Sequence, residues 1–273
     1  MNEKGYWVIR TYKAGMVGEK IKYWIKGERP TKSVRRLRSD IKKIQQNEAS
    51  AGKNIARLIN ANFSPEDYLV GLDYSEEAYA SLLNRIERAG IDLCLMEERD
   101  ALNIIREEAV NDFDNFIRRV KRTLPEGTEV KYIAVTSDIN GKTGELVRIH
   151  HHIVISGNAI EACKEKWKCG SVDYEHIFDE PDHSGLADYL IKQVRYVPDA
   201  KKYKPSRNLV HPEPKDRIVI NSSELRTPKN CALLFRSEFK PGRPQYIRYM
   251  LPPELLAKKA DELDEGGGAY RGV

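Results

Sequence analysis

Residues 146–155 read LVRIHHHIVI, and three consecutive histidines inside that run restrict the fold more than any other feature of the chain. Flanking Ile and Val residues give the segment strand character. Successive side chains of a strand point to opposite faces. His150 and His152 therefore share one face, and His151 joins Ile149 and Ile153 on the other. Alternate residues of a strand lie roughly 6–7 Å apart at Cα. Two neutral imidazoles at that spacing can hold one divalent ion, and a rigid apolar strand is the support such a site needs. A zinc hydrolase of the HExxH kind is excluded, because that motif needs a helix and a Glu.

The surrounding segments predict a mixed α and β chain. YWVIRTYK at 6–13 and KIKYWIK at 20–26, with Gly15 and Gly18 between them, predict a hairpin. A basic helix is expected at about 32–47, with Arg35, Arg36, Arg38, Lys42 and Lys43 off its apolar stripe, and a second helical piece at 53–62. A short strand at 68–74 precedes a helix at 75–89 opened by Ser75. A long amphipathic helix follows at 97–123, then strands at 129–137 and 146–155 around a turn at Asn140-Gly141. A helix at 158–168, a short strand at 171–177 and a helix at 186–196 complete the regular part. Beyond 197, Pro and basic residues leave no regular pattern to read, and the last residues are expected to fray.

The helix at 186–196 carries the second chemical feature. Tyr189 and Lys192 are three apart and Tyr189 and Gln193 four apart, so all three lie on one face. A phenol attacks a phosphodiester when its proton is removed and a cation neutralises the phosphate. Tyr196, one heptad on, shares that face and competes for the role.

Charge is segregated along the chain. Residues 1–60 carry a net +10 and 191–250 a net +9, around −8 over 61–120 and −4 over 121–190. Basic flanks around an acidic middle suit a bound polyanion. The four cysteines form no CxxC pair, which argues against structural zinc and against a disulfide framework. No apolar run approaches the roughly 18 residues of a membrane span, and the opening MNEKGYWVIR has no leader-like stretch, so a cytoplasmic protein with no membrane partner is expected.

Together these motifs resemble the HUH endonucleases, most closely the rolling-circle replication initiators of phages and mobile elements. Asn62-Phe63-Ser64 with Asp67–Tyr74 is similar to the family's first strand motif, His150–Ile155 to its His-x-His metal strand, and Tyr189-Leu190-Ile191-Lys192 to its YxxK helix. Ser206-Arg207-Asn208-Leu209 resembles a stretch that follows that helix in phage-type members. The resemblance covers about 60–210. It departs at His151, where an apolar residue is usual, and at Gly71 and Asp73, where Thr is common.

The resemblance implies an α+β fold of the ferredoxin or RRM kind: a central antiparallel sheet with helices packed on it. It places a basic N-terminal extension at 1–59, the endonuclease domain at 60–200 and a basic, Pro-rich extension at 201–273. It implies nicking of single-stranded or hairpin DNA with Mn²⁺ or Mg²⁺, with His150 and His152 as ligands, Tyr189 as nucleophile and Lys192 assisting at the phosphate. The third ligand stays open between Asp138 before the His strand, Gln193 on the Tyr helix and, more weakly, Glu145. Arg35, Arg36, Arg38, Lys42, Lys43 and Arg207 are the expected DNA contacts. The only GKT, at 141–143, lacks the first Gly of a phosphate loop and precedes a strand, so a host helicase is expected to unwind the DNA and a host polymerase to extend it. A conjugative relaxase or single-strand transposase would use the same chemistry, and a binding module without catalysis would use only the basic flanks.

Overall fold

The computed structural model describes residues 5–27, 42–195, 201–219 and 223–258. The chain divides into two compact units, one formed by Met1–Ser50 with Val210–Val273 and the other by Ala51–Leu209. Each is built on its own antiparallel sheet, so the chain is α+β as expected.

The first unit corrects the picture of two separate extensions. Strands β1 (Gly5–Ala14) and β2 (Val17–Lys26) form the expected hairpin, with Gly15 at φ 56° in its two-residue turn. Three strands from the other end of the chain complete the sheet: β8 (Lys215–Val219), β9 (Ala232–Arg236) and β10 (Gln245–Met250). Their order is β8-β1-β2-β10-β9. Arg35, Arg36 and Arg38 lie outside the described residues, and Lys42 and Lys43 begin the backbone of helix α1 (Lys42–Asn62).

The second unit holds β3 (Tyr68–Asp73), β4 (Tyr132–Ile139), β5 (Leu146–Ile155), β6 (Val172–His176) and the short β7 (Lys204–Pro205). Their order is β6-β3-β5-β4-β7, which places the His strand β5 in the centre. Helices α2 (Glu76–Arg88), α3 (Glu98–Thr123), α4 (Ile160–Lys166) and α5 (Ser184–Lys192) join α1 around it. Ser75 caps α2 by accepting from the Ala78 amide at 3.2 Å, as the sequence predicts.

Alternation along the strands sorts two cores onto the two faces of this sheet. On one face Leu72, Ile149 and Ile153 pack with Leu82 of α2, Phe113 and Phe116 of α3 and Cys163 of α4. On the other, Ile133, Val135 and Val154 pack with Ile55 and Ile59 of α1 and with Ala187 and Leu190 of α5. Each fully buried aliphatic side chain stabilises the fold by about 2 kcal/mol. Among the described residues no helix is long and apolar enough to cross a membrane.

Candidate active site

The register of β5 fixes what surrounds each histidine. His150 lies opposite Asp73 of β3 and Ser137 of β4, and His152 opposite Gly71 and Val135. Partners in register share a face, so His150 and His152 stand on the side that α5 covers. His151 points the other way, as alternation requires.

His151 is a core residue. It is fully buried, its ring centroid 5.3 Å from that of Phe113 and 5.8 Å from that of Trp167. Its Nδ1 meets the Thr136 hydroxyl at 3.0 Å, and its Nε2 has no hydrogen-bond partner among the described residues. Burial, then the charges of His150 and His152, pull its pKa down to about 3, so the ring stays neutral.

The other two histidines converge. The Nε2 atoms of His150 and His152 are 3.1 Å apart, with the rings almost perpendicular. His150 Nδ1 lies 2.9 Å from the Arg148 carbonyl, and a carbonyl only accepts, so Nδ1 carries the proton and Nε2 presents its lone pair. Burial and the neighbouring His150 pull the pKa of His152 down to about 4, against a hydrogen bond to Gln193 that raises it. Two imidazole nitrogens this close share an electron-poor partner, either a proton or a cation bonded to both. A six-coordinate ion with bonds of roughly 2.1 Å holds adjacent nitrogens about 3 Å apart, close to the 3.1 Å found here. Two neutral imidazole nitrogens are donors that suit a divalent transition-metal ion.

Helix α5 brings Tyr189 to this pair. The Tyr189 and His152 rings are 5.5 Å apart between centroids, edge to face, and Tyr189 is half-exposed. Lys192 is exposed in the last turn of the helix. Gln193 caps that helix and is buried against His152, so of the three candidates for the third ligand it is the one beside the pair. Tyr196 lies outside the described residues.

Asp138, the first candidate from the sequence, is placed elsewhere. The residue is 3% exposed, and its carboxylate accepts from Arg195 Nε at 2.9 Å, while Arg195 Nη2 donates to Asn103 of α3 at 3.1 Å. Alternation puts Ser137, not Asp138, opposite His150, and the register breaks just after it. Glu145 is held in the β4–β5 turn by the Thr143 hydroxyl at 2.9 Å. Among the described residues no group of three His, Cys, Asp or Glu is arranged to hold a metal.

Arg207 is exposed, but its neighbours in the Ser206–Leu209 stretch are structural. The Ser206 hydroxyl accepts from the Tyr132 amide at 3.0 Å, and Leu209 is buried in the core beneath α5. Sequence reasoning missed Ser137, whose hydroxyl donates to the Gln193 carbonyl at 2.5 Å. Counting on by two from Val135, the partner of His152, would have found its face, but not its partner. It also missed Arg195, because nothing in a linear pattern pairs it with a residue 57 positions earlier.

Compared with protein-family models, with curated proteins and with solved structures, the chain matches none.

Proposed function

We propose that the unit Ala51–Leu209 is a metal-dependent nickase of single-stranded DNA that works through a phosphotyrosine, of the kind that initiates rolling-circle replication. The observation that carries this reading is the convergence of His150 Nε2 and His152 Nε2 at 3.1 Å beneath the ring of Tyr189. The pair sets two imidazole nitrogens within reach of one proton or one cation, with a half-exposed phenol beside them.

In this reading His150, His152 and Gln193 hold Mn²⁺ or Mg²⁺. When bound, the ion would draw charge from a non-bridging oxygen of the scissile phosphate. The Tyr189 oxygen forms the new bond to phosphorus and its proton passes to water. The bond from phosphorus to the 3′ oxygen breaks, and that oxygen takes up a proton. The products are a 5′-phosphotyrosyl strand and a free 3′-OH that a polymerase can extend. One phosphodiester replaces another, so rejoining needs no nucleotide. Lys192, one turn after Tyr189 and exposed, would meet the phosphate charge.

The division of charge supports a nucleic-acid partner. Net charge is +10 in the unit made of the two chain ends and −5 in Ala51–Leu209. Binding would thus be concentrated in one unit and chemistry in the other. A conjugative relaxase or single-strand transposase, which would use the same chemistry, is the second reading.

The test is cleavage of labelled single-stranded oligonucleotides, including hairpins, with Mn²⁺. A metal-dependent nick leaving protein on the 5′ end is expected. Tight binding without any nick, across a library of sequences, would leave only the binding-module reading.

A further inference from the structure

We infer that Asp138, Arg195 and Ser137 are positioning residues that lock the end of the Tyr helix onto the strand beside the histidines. The inference rests on the reading of Tyr189 as the nucleophile and adds to it the device that sets its place.

A helix ends with carbonyls that have no partner within it. At the end of α5 the Gln193 carbonyl receives the Ser137 hydroxyl at 2.5 Å. Two residues on, Arg195 donates to Asp138 at 2.9 Å and to Asn103 at 3.1 Å. Ser137 and Asp138 are consecutive on β4, and Ser137 is the residue opposite His150. The end of the Tyr helix is therefore tied at two points to the strand that pairs with the His strand. Tyr189 precedes Gln193 by one turn, so wherever those ties hold the helix end, they hold the phenol.

The contacts are of a kind that specifies position. Apolar packing, such as that of Ala187 and Leu190, lets a short helix slide or roll at little cost. A guanidinium that divides its N–H groups between the Asp138 carboxylate and the Asn103 amide, and a hydroxyl on a carbonyl, are directional and restrict the placement. Burying the Asp138 carboxylate carries a desolvation penalty that an apolar pair would avoid, and Arg106 sits close enough to share its charge. That penalty is explained if the ties fix the reaction geometry. It also gives Asp138 a role other than metal ligand.

The test uses the full chain with Asp138→Asn, Arg195→Lys and Ser137→Ala, each checked for folding by circular dichroism. The first measurement needs neither DNA nor metal: the nuclear Overhauser contact between the Tyr189 and His152 rings. It should weaken in all three variants. The second is the rate of covalent adduct formation on an oligonucleotide that the wild type cleaves. It should fall about a hundredfold, as for a misplacement near 1 Å, with oligonucleotide affinity unchanged. Asp138→Asn with Arg195→Lys together should be no slower than either alone. The third is binding of Mn²⁺ alone, which should change alike in Asp138→Asn and Arg195→Lys. Loss of Mn²⁺ in Asp138→Asn with normal binding in Arg195→Lys would make Asp138 a ligand and overturn the inference. So would an unchanged ring contact in the folded variants, or losses that multiply in the double variant. If the wild type forms no adduct at all, the nickase reading fails, and the ring contact still decides whether the lock exists. Should Asp138→Asn fail to fold, Arg195→Lys and Ser137→Ala decide it.

Discussion

The Tyr189 ring meets the His152 ring edge to face, 5.5 Å between centroids, although the two residues are 37 positions apart and on different elements. That contact joins the two motifs on which the proposed chemistry depends. Tyr189→Phe keeps the ring and removes only the hydroxyl. It should abolish the covalent adduct while DNA affinity and melting temperature stay at wild-type values. Mass spectrometry of the wild-type adduct should place the nucleotide on Tyr189. A nucleotide on Tyr196 would move the nucleophile by one heptad.

The three histidines should separate cleanly. His150→Ala and His152→Ala should each weaken Mn²⁺ binding by at least about a hundredfold and leave stability nearly unchanged, since both rings lie on the partly open face. His151→Ala should do the reverse. It empties a fully buried site against Phe113 and Trp167 and should cost about 2–4 kcal/mol of unfolding free energy, with Mn²⁺ affinity retained in the folded protein. Calorimetric titration and urea denaturation read the two effects.

Gly141 offers a way to move Gln193 without touching it. A Cβ added there would lie 3.0 Å from the Gln193 Cγ, so the side chain must give way. Gly141→Ala should lower Mn²⁺ affinity several-fold with little change in melting temperature, because its surroundings are otherwise an exposed turn. Unchanged affinity would remove Gln193 from the ligand set.

Affinity for single-stranded DNA should fall steeply with salt. Phosphate contacts release counterions, and several of them weaken binding by at least about tenfold between 50 and 200 mM salt. Fluorescence anisotropy at a series of salt concentrations gives the slope. A flat line would mean that the net +10 of the two chain ends plays no part in binding.

Burial pushes the Cys163 thiol up to about 12. Because the raised value disfavours the thiolate, Cys163 should stay unreactive at pH 8–9 and gain reactivity only near its own pKa or on unfolding. Exposed Cys94 should be alkylated under the same native conditions. Peptide mapping after iodoacetamide distinguishes them, and early labelling of Cys163 would contradict its burial on α4 in the core shared with α3.

The sequence made the second unit legible because its elements are local. LVRIHHHIVI is a strand by its own composition, and the structure places β5 on those same residues, 146–155. Ser75 announces α2, and the spacing of Phe113, Phe116 and Val120 announces α3. The phase of the histidines followed from strand alternation alone. What stayed hidden was long-range. β8 and β10 are short strands whose partners in β1 and β2 lie some 200 residues away, β9 joins the sheet only through β10, and no local pattern marks a strand ordered in this way. Asp138 was misassigned for the same reason: its neighbour in sequence faces the histidines, and its partner Arg195 is fixed only by the fold.

The first unit's sheet takes its middle hairpin from one end of the chain and its outer strands from the other, with all of Ala51–Leu209 emerging from the ribosome in between. Both edges of the β1–β2 hairpin therefore stay unpaired throughout synthesis, open to pairing with another nascent chain, until β8 and then β10 arrive. The unit Ala51–Leu209 can fold before the sheet of the other unit is complete. A prematurely terminated product would carry the histidines and the tyrosine but no completed basic sheet. Trimming from the front is no milder: removing 1–57 would take away two strands and also Ile55, which is buried in the core beneath the Tyr helix. Strands β1 and β2 and strands β8 to β10 are made far apart in time and fold as one sheet.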